Sequence, residues 1–346
     1  MRRTRKHGLK CKENPVPPHS EEDFLELIDR YFPNVPDTVL LGRGDDCCII
    51  PRGSDICLST DLFLDTVHFR RSYFQPEEIG YKALAVNISD IAGMGAAPRG
   101  FTLELMIPDS LPADFWPRFF SGMSELAAEH EIALVGGDLS RSPFLGIGMT
   151  IWGEPGRSGR LLTRGNARPG DLIFVVGEIG MARVGLSVLE SLGHIAREEW
   201  PQSVGAHLRP RPRVAEGLAL ADLPVVRGCM DISDGLARDL PRFLALSQGN
   251  GADLDLHAHR YAPELLRLAL QLGENPAMTV LLGGEDYSLL GACAPEGKDA
   301  LLNAVPDVAI VGVVSKEPGI RLDNEPLTAK GFDHFSGCRV NRRARR

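Results

Sequence analysis

The chain has 346 residues, 43% of them hydrophobic, enough for one large globular unit or two domains with real cores. A formal net charge of -8 argues against a nucleic-acid partner, and no apolar run is long enough to span a bilayer. Seven cysteines without regular pairing suit a reducing compartment, so the cytoplasm is expected.

Both ends are basic. Arg2, Arg3, Arg5, Lys6, Lys10 and Lys12 precede a proline-rich stretch, and Arg342, Arg343, Arg345 and Arg346 close the chain. Residues 1–20 and 338–346 are read as solvated tails. Glu21 to Phe32 then places Phe24, Leu27, Ile28 and Tyr31 at helical spacing. Cys47 and Cys48 lie in an apolar run and read as buried filler. Ile56–Thr60 reads as a strand running into a polar site at Asp61.

Pro76 followed by Glu77 and Glu78 is a helix start, because proline loses no needed donor and acids suit the positive helix end. In that helix Leu84, Ile88 and Ile91 form an apolar side, with Asn87 and Asp90 together on another. Phe101, Leu103, Leu105 and Ile107 alternate with polar or mixed neighbours, the pattern of a half-buried strand. A helix over 113–130, a strand at 132–135, a turn at Gly136-Gly137-Asp138 and a strand over 147–152 follow. Gly, Pro and Arg around 154–160 mark a domain boundary. Beyond it, a strand is predicted at 171–176, helices at 182–192, 212–221 and 264–272, and strands at 279–282, 288–291 and 309–314. This is a mixed α/β pattern without the repeating units of a Rossmann domain.

Acids recur at the ends of apolar segments: Asp45-Asp46 after Gly44, Asp61 after Ser59-Thr60, Asp65, Asp90, Asp138 after Gly137, and Asp231 and Asp234 flanking Ser233. One such acid is an ordinary cap or turn residue. Clustered carboxylates repel one another unless cations or protons compensate, and magnesium meets that need with oxygen ligands while leaving positions for phosphates. No Cys/His set suits structural zinc, and Gly42-x-Gly44 lacks the Lys-Ser/Thr of the usual phosphate loop.

The words GRGDDCCII (42–50), STDLFLDTVHF (59–69), IGYKALAVNISDIAGMGAAPRG (79–100), LVGGDLSRS (134–142), LLTRGNARPGDLIFVVGEIG (161–180), HLRPRPRVAEG (207–217), MDISDGLARDL (230–240), GGEDYSLL (283–290) and GFDHF (331–335) resemble the thiamine-monophosphate kinase family, in the family's order. The resemblance implies a two-domain α/β (mixed α+β) fold like that of aminoimidazole ribonucleotide synthetase. Its N-terminal domain (21–155) would supply ATP and magnesium binding and a dimerisation sheet, and an α/β domain (156–337) would follow. It also implies phosphoryl transfer from ATP to thiamine monophosphate in a homodimer, with several Mg²⁺ ions and neither nucleic acid nor membrane as partner. By the same resemblance, Asp46, Ser59, Thr60, Asp61, Asp90, Asp138, Asp231 and Asp234 correspond to the magnesium shell, with Asp231 and Asp234 central to catalysis. Gly137, Asp138, Arg164 and Ser233 correspond to ATP contacts, and His68, Glu285 and Phe332 to the substrate side. Asp45 and Asp65 would support rather than bind. Departures are modest: Ser288 stands where the family word GEDYEL has an acid, and GMGA replaces AMGA. Rival readings are another ATP-dependent synthetase of the same superfamily, or an ATP-binding protein without transfer. Neither Cys11 in its glycine-poor tail nor Cys338 before the terminal arginines fits the reactive groups that the selenophosphate-synthetase and hydrogenase-maturation relatives would require.

Overall fold

Two sheets share one buried helix. The computed structural model describes residues 40, 45–247, 251–256 and 261–328, all within a compact unit spanning Pro36–Phe332. The predicted helix at 21–32, both basic tails, Gly42, Gly44 and Phe332 lie outside the described residues.

The first sheet has the order β1-β2-β5-β3-β4, formed by β1 (Cys48–Arg52), β2 (Ser54–Leu64), β3 (Ala96–Ile107), β4 (Ala133–Arg141) and β5 (Gly146–Pro155). All its pairings are antiparallel except β3 with β4. The helix α1 (Pro76–Gly93) packs on β2, β3 and β5, and also reaches strands of the second sheet. Its position between two sheets explains why it is buried almost all round, rather than on one stripe. Asn87 is as enclosed as the apolar side, and its amide donates to the Ala83 carbonyl at 2.9 Å. The helix α2 (Phe115–Glu129) packs against α1 so closely that a Cβ at Gly122 would stand 1.9 Å from the Glu77 carbonyl oxygen.

The second sheet runs β12-β11-β8-β10-β6-β9-β7, from β6 (Leu172–Val176), β7 (Val226–Ile232), β8 (Gly251–Leu254), β9 (Ser288–Cys293), β10 (Val308–Ser315), β11 (Ile320–Leu322) and β12 (Glu325–Pro326). It is antiparallel except between β11 and β8. Around it lie α3 (Met181–Leu192), α4 (Ala196–Glu199), α5 (Pro201–Leu208), α6 (Val214–Asp222), α7 (Leu236–Ala245), α8 (Pro263–Leu272), α9 (Pro276–Leu282) and α10 (Lys298–Ala304).

Three local expectations change. Residues 279–282 belong to the helix α9 and not to a strand: Asn275 accepts the Ala277 N–H at 3.0 Å and Pro276 opens the first turn. A short apolar run cannot by itself distinguish strand from helix, and here the cap decides. Gly136-Gly137-Asp138 is not a turn but the middle of β4, paired with Thr102, Leu103 and Glu104. The approach is close enough that a Cβ on Gly137 would stand 1.9 Å from the Leu103 carbonyl oxygen. Asp61 likewise sits inside β2, opposite Met149, rather than beyond its end.

Candidate active site

Three elements deliver three carboxylates to one point. Asp46 precedes β1, Asp90 lies in the last turn of α1, and Asp231 is in the last turn-facing part of β7. One oxygen from each lies within 4.8 Å of the others. Burial and the neighbouring acids push all three carboxyls up, Asp46 and Asp231 to about 7 and Asp90 well above its ordinary range. Asp61 is also raised by burial, and its charge acts on both Asp90 and Asp231.

Hydroxyls orient two of these groups. Ser59 donates to Asp90, and Ser89 donates to Asp231 at 2.8 Å. Arg164 is the local cation: its guanidinium contacts Asp46, and its backbone N–H donates to Asp45 at 2.9 Å. Asp45 also accepts the Asp46 N–H at 2.9 Å, so it braces the segment carrying Asp46. Gly93 closes the floor beneath them, for a Cβ there would stand 2.8 Å from the Asp231 backbone nitrogen and 2.9 Å from Asp46 Oδ2.

The other predicted members take different positions. The Thr60 hydroxyl donates to the Met149 carbonyl at 2.8 Å and accepts from Thr150 at 3.2 Å. Asp138 is exposed on β4 and accepts from Ser140 at 3.2 Å. Asp234 is held by Arg242 at 2.6 Å and by Arg238 at 3.4 Å. It stands outside the three-carboxylate group, as does Asp138. The backbone N–H groups of Ser233 and Asp234 donate to buried Asp239, at 3.1 and 2.9 Å. His68 stacks on Phe63 and accepts the Leu64 N–H at 3.0 Å. Asp65 pairs with Arg71 at 2.7 Å, away from the three carboxylates.

Glu285 follows α9 in a short loop stapled to the end of β7: its N–H donates to the Ser233 carbonyl at 2.7 Å, and that of Tyr287 to Ile232 at 2.9 Å. Asp286 turns away to accept the N–H groups of Gly180 and Ala182 at the start of α3, at 2.6 and 3.0 Å. Two fully enclosed residues that the sequence reading did not single out, Lys82 and His207, flank the Glu285 carboxylate at 3.4 and 3.2 Å. Burial opposes its charge, but Lys82 and His207 outweigh that and hold the carboxyl at about 2. The sequence signals for Lys82 were its place in the family word at 79–100 and a lysine amid the apolar residues in the middle of α1. His207 had no spacing cue.

The chain matches the AIR synthase related protein N-terminal domain over residues 44–154 and the corresponding C-terminal domain over 168–324. It is 37% identical over 328 residues to the thiamine-monophosphate kinase of Escherichia coli (strain K12), covering 90% of this chain and 98% of that relative. It is 34% identical over 332 residues to the Bacillus subtilis (strain 168) thiamine-monophosphate kinase, covering 90% and 99%. The solved complex of AaThiL with AMPPCP and TMP superposes with a TM-score of 0.79 at 29% identity, covering 91% of this chain and 97% of that one. The chain therefore belongs to the thiamine-monophosphate kinase family, built on the two AIR synthase related domains.

Proposed function

We propose that this chain transfers the γ-phosphoryl group of ATP to the phosphate of thiamine monophosphate, giving ADP and thiamine diphosphate. The observation that carries the reading is the convergence of Asp46, Asp90 and Asp231 from separate elements, in a chain of this family. Phosphoryl transfer asks a protein mainly for alignment and charge compensation, which such a group can organise.

The residues present fit magnesium. Asp46 Oδ2 is buried without a hydrogen-bond partner, and the donor set is entirely oxygen, as a hard divalent cation requires. Asp46, Asp90 and Asp231 would hold the ions, with Ser59, Thr60, Asp61, Asp138 and Asp234 completing the wider shell. Bound magnesium would offset phosphate charge and align the two substrates. Ser59 and Ser89 fix the carboxylate orientations, while Arg164 supplies positive charge beside Asp46. Gly137, Asp138, Arg164 and Ser233 are assigned to the nucleotide side, and His68 and Glu285 to the thiamine side.

An oxygen of the acceptor phosphate bonds to the γ-phosphorus as the bond to the β–γ bridging oxygen breaks. ADP leaves with that electron pair. The acceptor oxygen is already acidic, so no dedicated base is assigned and no residue is phosphorylated. Burial pushes the thiols of Cys47 and Cys229 well up, which suits filler and not nucleophiles.

The strand β4 is exposed along its length, with Leu134, Val135 and Leu139 presented at the sheet edge. An apolar edge of this kind supports a homodimer joined through the first sheet. A division near 155–156 between the two domains is consistent with the separate sheets. No described helix is long and apolar enough to cross a membrane, and a cytoplasmic setting remains our reading. The test of function is incubation of purified protein with Mg-ATP and thiamine monophosphate, with products resolved by chromatography. ADP without thiamine diphosphate would overturn the assignment.

A further inference from the structure

We infer that Lys82 and His207 are positioning residues for substrate recognition, holding Glu285 in one orientation so that its free lone pairs meet an N–H donor of the acceptor substrate. The inference rests on Glu285 belonging to the thiamine side of the site.

The geometry separates the three groups by access. Lys82 and His207 are 0% and 1% exposed, whereas the Glu285 side chain keeps 25% of its surface. The Glu285 side chain thus keeps an access to the outside that its two enclosed partners lack. Lys82 Nζ stands 3.4 Å from Glu285 Oε1, donates to the His207 carbonyl at 2.7 Å and lies 5.6 Å from the centre of the Phe74 ring. His207 Nδ1 stands 3.2 Å from Glu285 Oε2. Burial pushes the histidine pKa down, so the ring is a neutral group beside the ion pair.

A carboxylate offers about four lone-pair sites, and Lys82 Nζ and His207 Nδ1 each stand beside one oxygen, at 3.4 and 3.2 Å. The remainder can accept from a substrate amine. Thiamine monophosphate carries such a donor on its aminopyrimidine ring, at the end opposite its phosphate.

The backbone points the same way. Glu285 has φ 64° and Tyr287 φ 49°, conformations that non-glycine residues seldom adopt. The loop is held there by the bonds to Ser233 and Ile232 and by Asp286 on α3. An enclosed lysine is costly unless paired, so a purely structural purpose would be served as well by an apolar side chain on α1.

The experiment compares steady-state kinetics of the parent enzyme, E285Q, K82M, the double variant K82M/E285Q, H207L and H207N. Circular dichroism and thermal melting serve as controls for folding, and the double variant removes both charges together. KM for thiamine monophosphate should rise by about tenfold or more in E285Q and K82M, the scale of a lost hydrogen bond to a charged group. KM for ATP should stay within about twofold, a discrimination that general damage would not produce. Adding K82M to E285Q should raise KM little further, because Lys82 acts through the carboxylate. H207N, which keeps a donor near Nδ1, should retain more affinity than H207L.

The variant-to-parent ratio of KM should also depend on pH for K82M. The charged or titratable groups that interact with Glu285 are Lys82 from α1, His207 from α5, Arg70 and Tyr73 ahead of α1, and Asp286 and Tyr287 in its own loop, with Glu190 of α3 acting on His207, Arg70 and Tyr73. Without Lys82 the carboxylate takes up a proton nearer neutrality, so the ratio should be largest near about pH 6 and shrink toward about pH 9. If E285Q raises KM while K82M leaves it unchanged, or if the two effects are additive, the positioning role is wrong and the Glu285 assignment survives. If E285Q itself leaves KM unchanged, both fall.

Discussion

Gly93→Ala tests the floor of the carboxylate site with a single methyl group. The added Cβ would stand 2.8 Å from the Asp231 backbone nitrogen, 2.9 Å from Asp46 Oδ2 and 3.1 Å from the Met230 carbonyl carbon. Ordinary contact would need each to retreat by about 0.5 Å or more. The backbone nitrogen belongs to β7, the edge strand that is paired along its length with β9, so the Asp46 side chain and the end of α1 yield first. Overpacking costs ~1–3 kcal/mol, while alanine in place of helical glycine returns ~1 kcal/mol. The net loss is then ~0–2 kcal/mol, a fall in melting temperature of no more than about 5 °C. Catalysis is less forgiving, since a displacement of ~1 Å can cost ~100-fold and half of that about tenfold. The expected signature is turnover reduced about tenfold or more with a raised magnesium requirement, in a protein that still melts cooperatively. Gly205→Ala is the control, because a Cβ there meets nothing within 4 Å on the exposed side of α5. It should stabilise by ~0.5–1 kcal/mol and leave turnover intact. Parent-like turnover and magnesium dependence in Gly93→Ala would refute the claim that this contact sets the spacing of Asp46 and Asp231.

Asp231→Asn should lower turnover by about 100-fold or more, and parent-like rates at saturating magnesium would count against its assigned role. In metal-free buffer, Asp46 and Asp231 titrate near 7 in the fold against 3.8 in the open chain, so the folded form binds more protons. Stability contributed by these groups is therefore greatest near about pH 4 and falls as pH rises through 7. Glu285, held at about 2, contributes in the opposite sense but loses its contribution only in strong acid. Melting in EDTA should be lower at about pH 8 than at about pH 6, with magnesium closing the gap and Asp231→Asn narrowing it; a gap unaffected by either change would contradict the account. Leu139→Glu on the exposed edge should shift sedimentation from dimer to monomer, and an unchanged coefficient would exclude β4 from the interface.

Much of the scaffold is legible in the sequence because periodicity and punctuation agree there. Pro76 with its two following acids, the alternation at 101–107, and the runs before Val176 and Cys293 all carry local signals strong enough to survive packing. Local signal failed where a cap or a neighbour decided. Asn275 and Pro276 turned an apolar run into α9, and Leu103 drew two glycines into β4. Among the acids, the sequence words placed Asp46, Asp61, Asp90, Asp138, Asp231 and Asp234 in one magnesium shell. The fold brings Asp46, Asp90 and Asp231 within 4.8 Å of one another, while Arg238 and Arg242 hold Asp234, which no local signal foretold. Lys82 and His207 lie within the family words but drew no role, because their shared partner lies in a loop far along the chain.

The helix α1 carries Lys82 in its middle and Asp90 near its end. Eight residues of α-helix span about 12 Å, fixed by the rise of the backbone and not by any loop. One rigid rod therefore acts as a ruler between the Glu285 carboxylate and the cluster of Asp46, Asp90 and Asp231. On the proposed function, a substrate whose amine and phosphate are spaced differently could not be accommodated by adjusting one end alone. A kink in this helix would alter recognition and transfer together, so the two properties are mechanically joined.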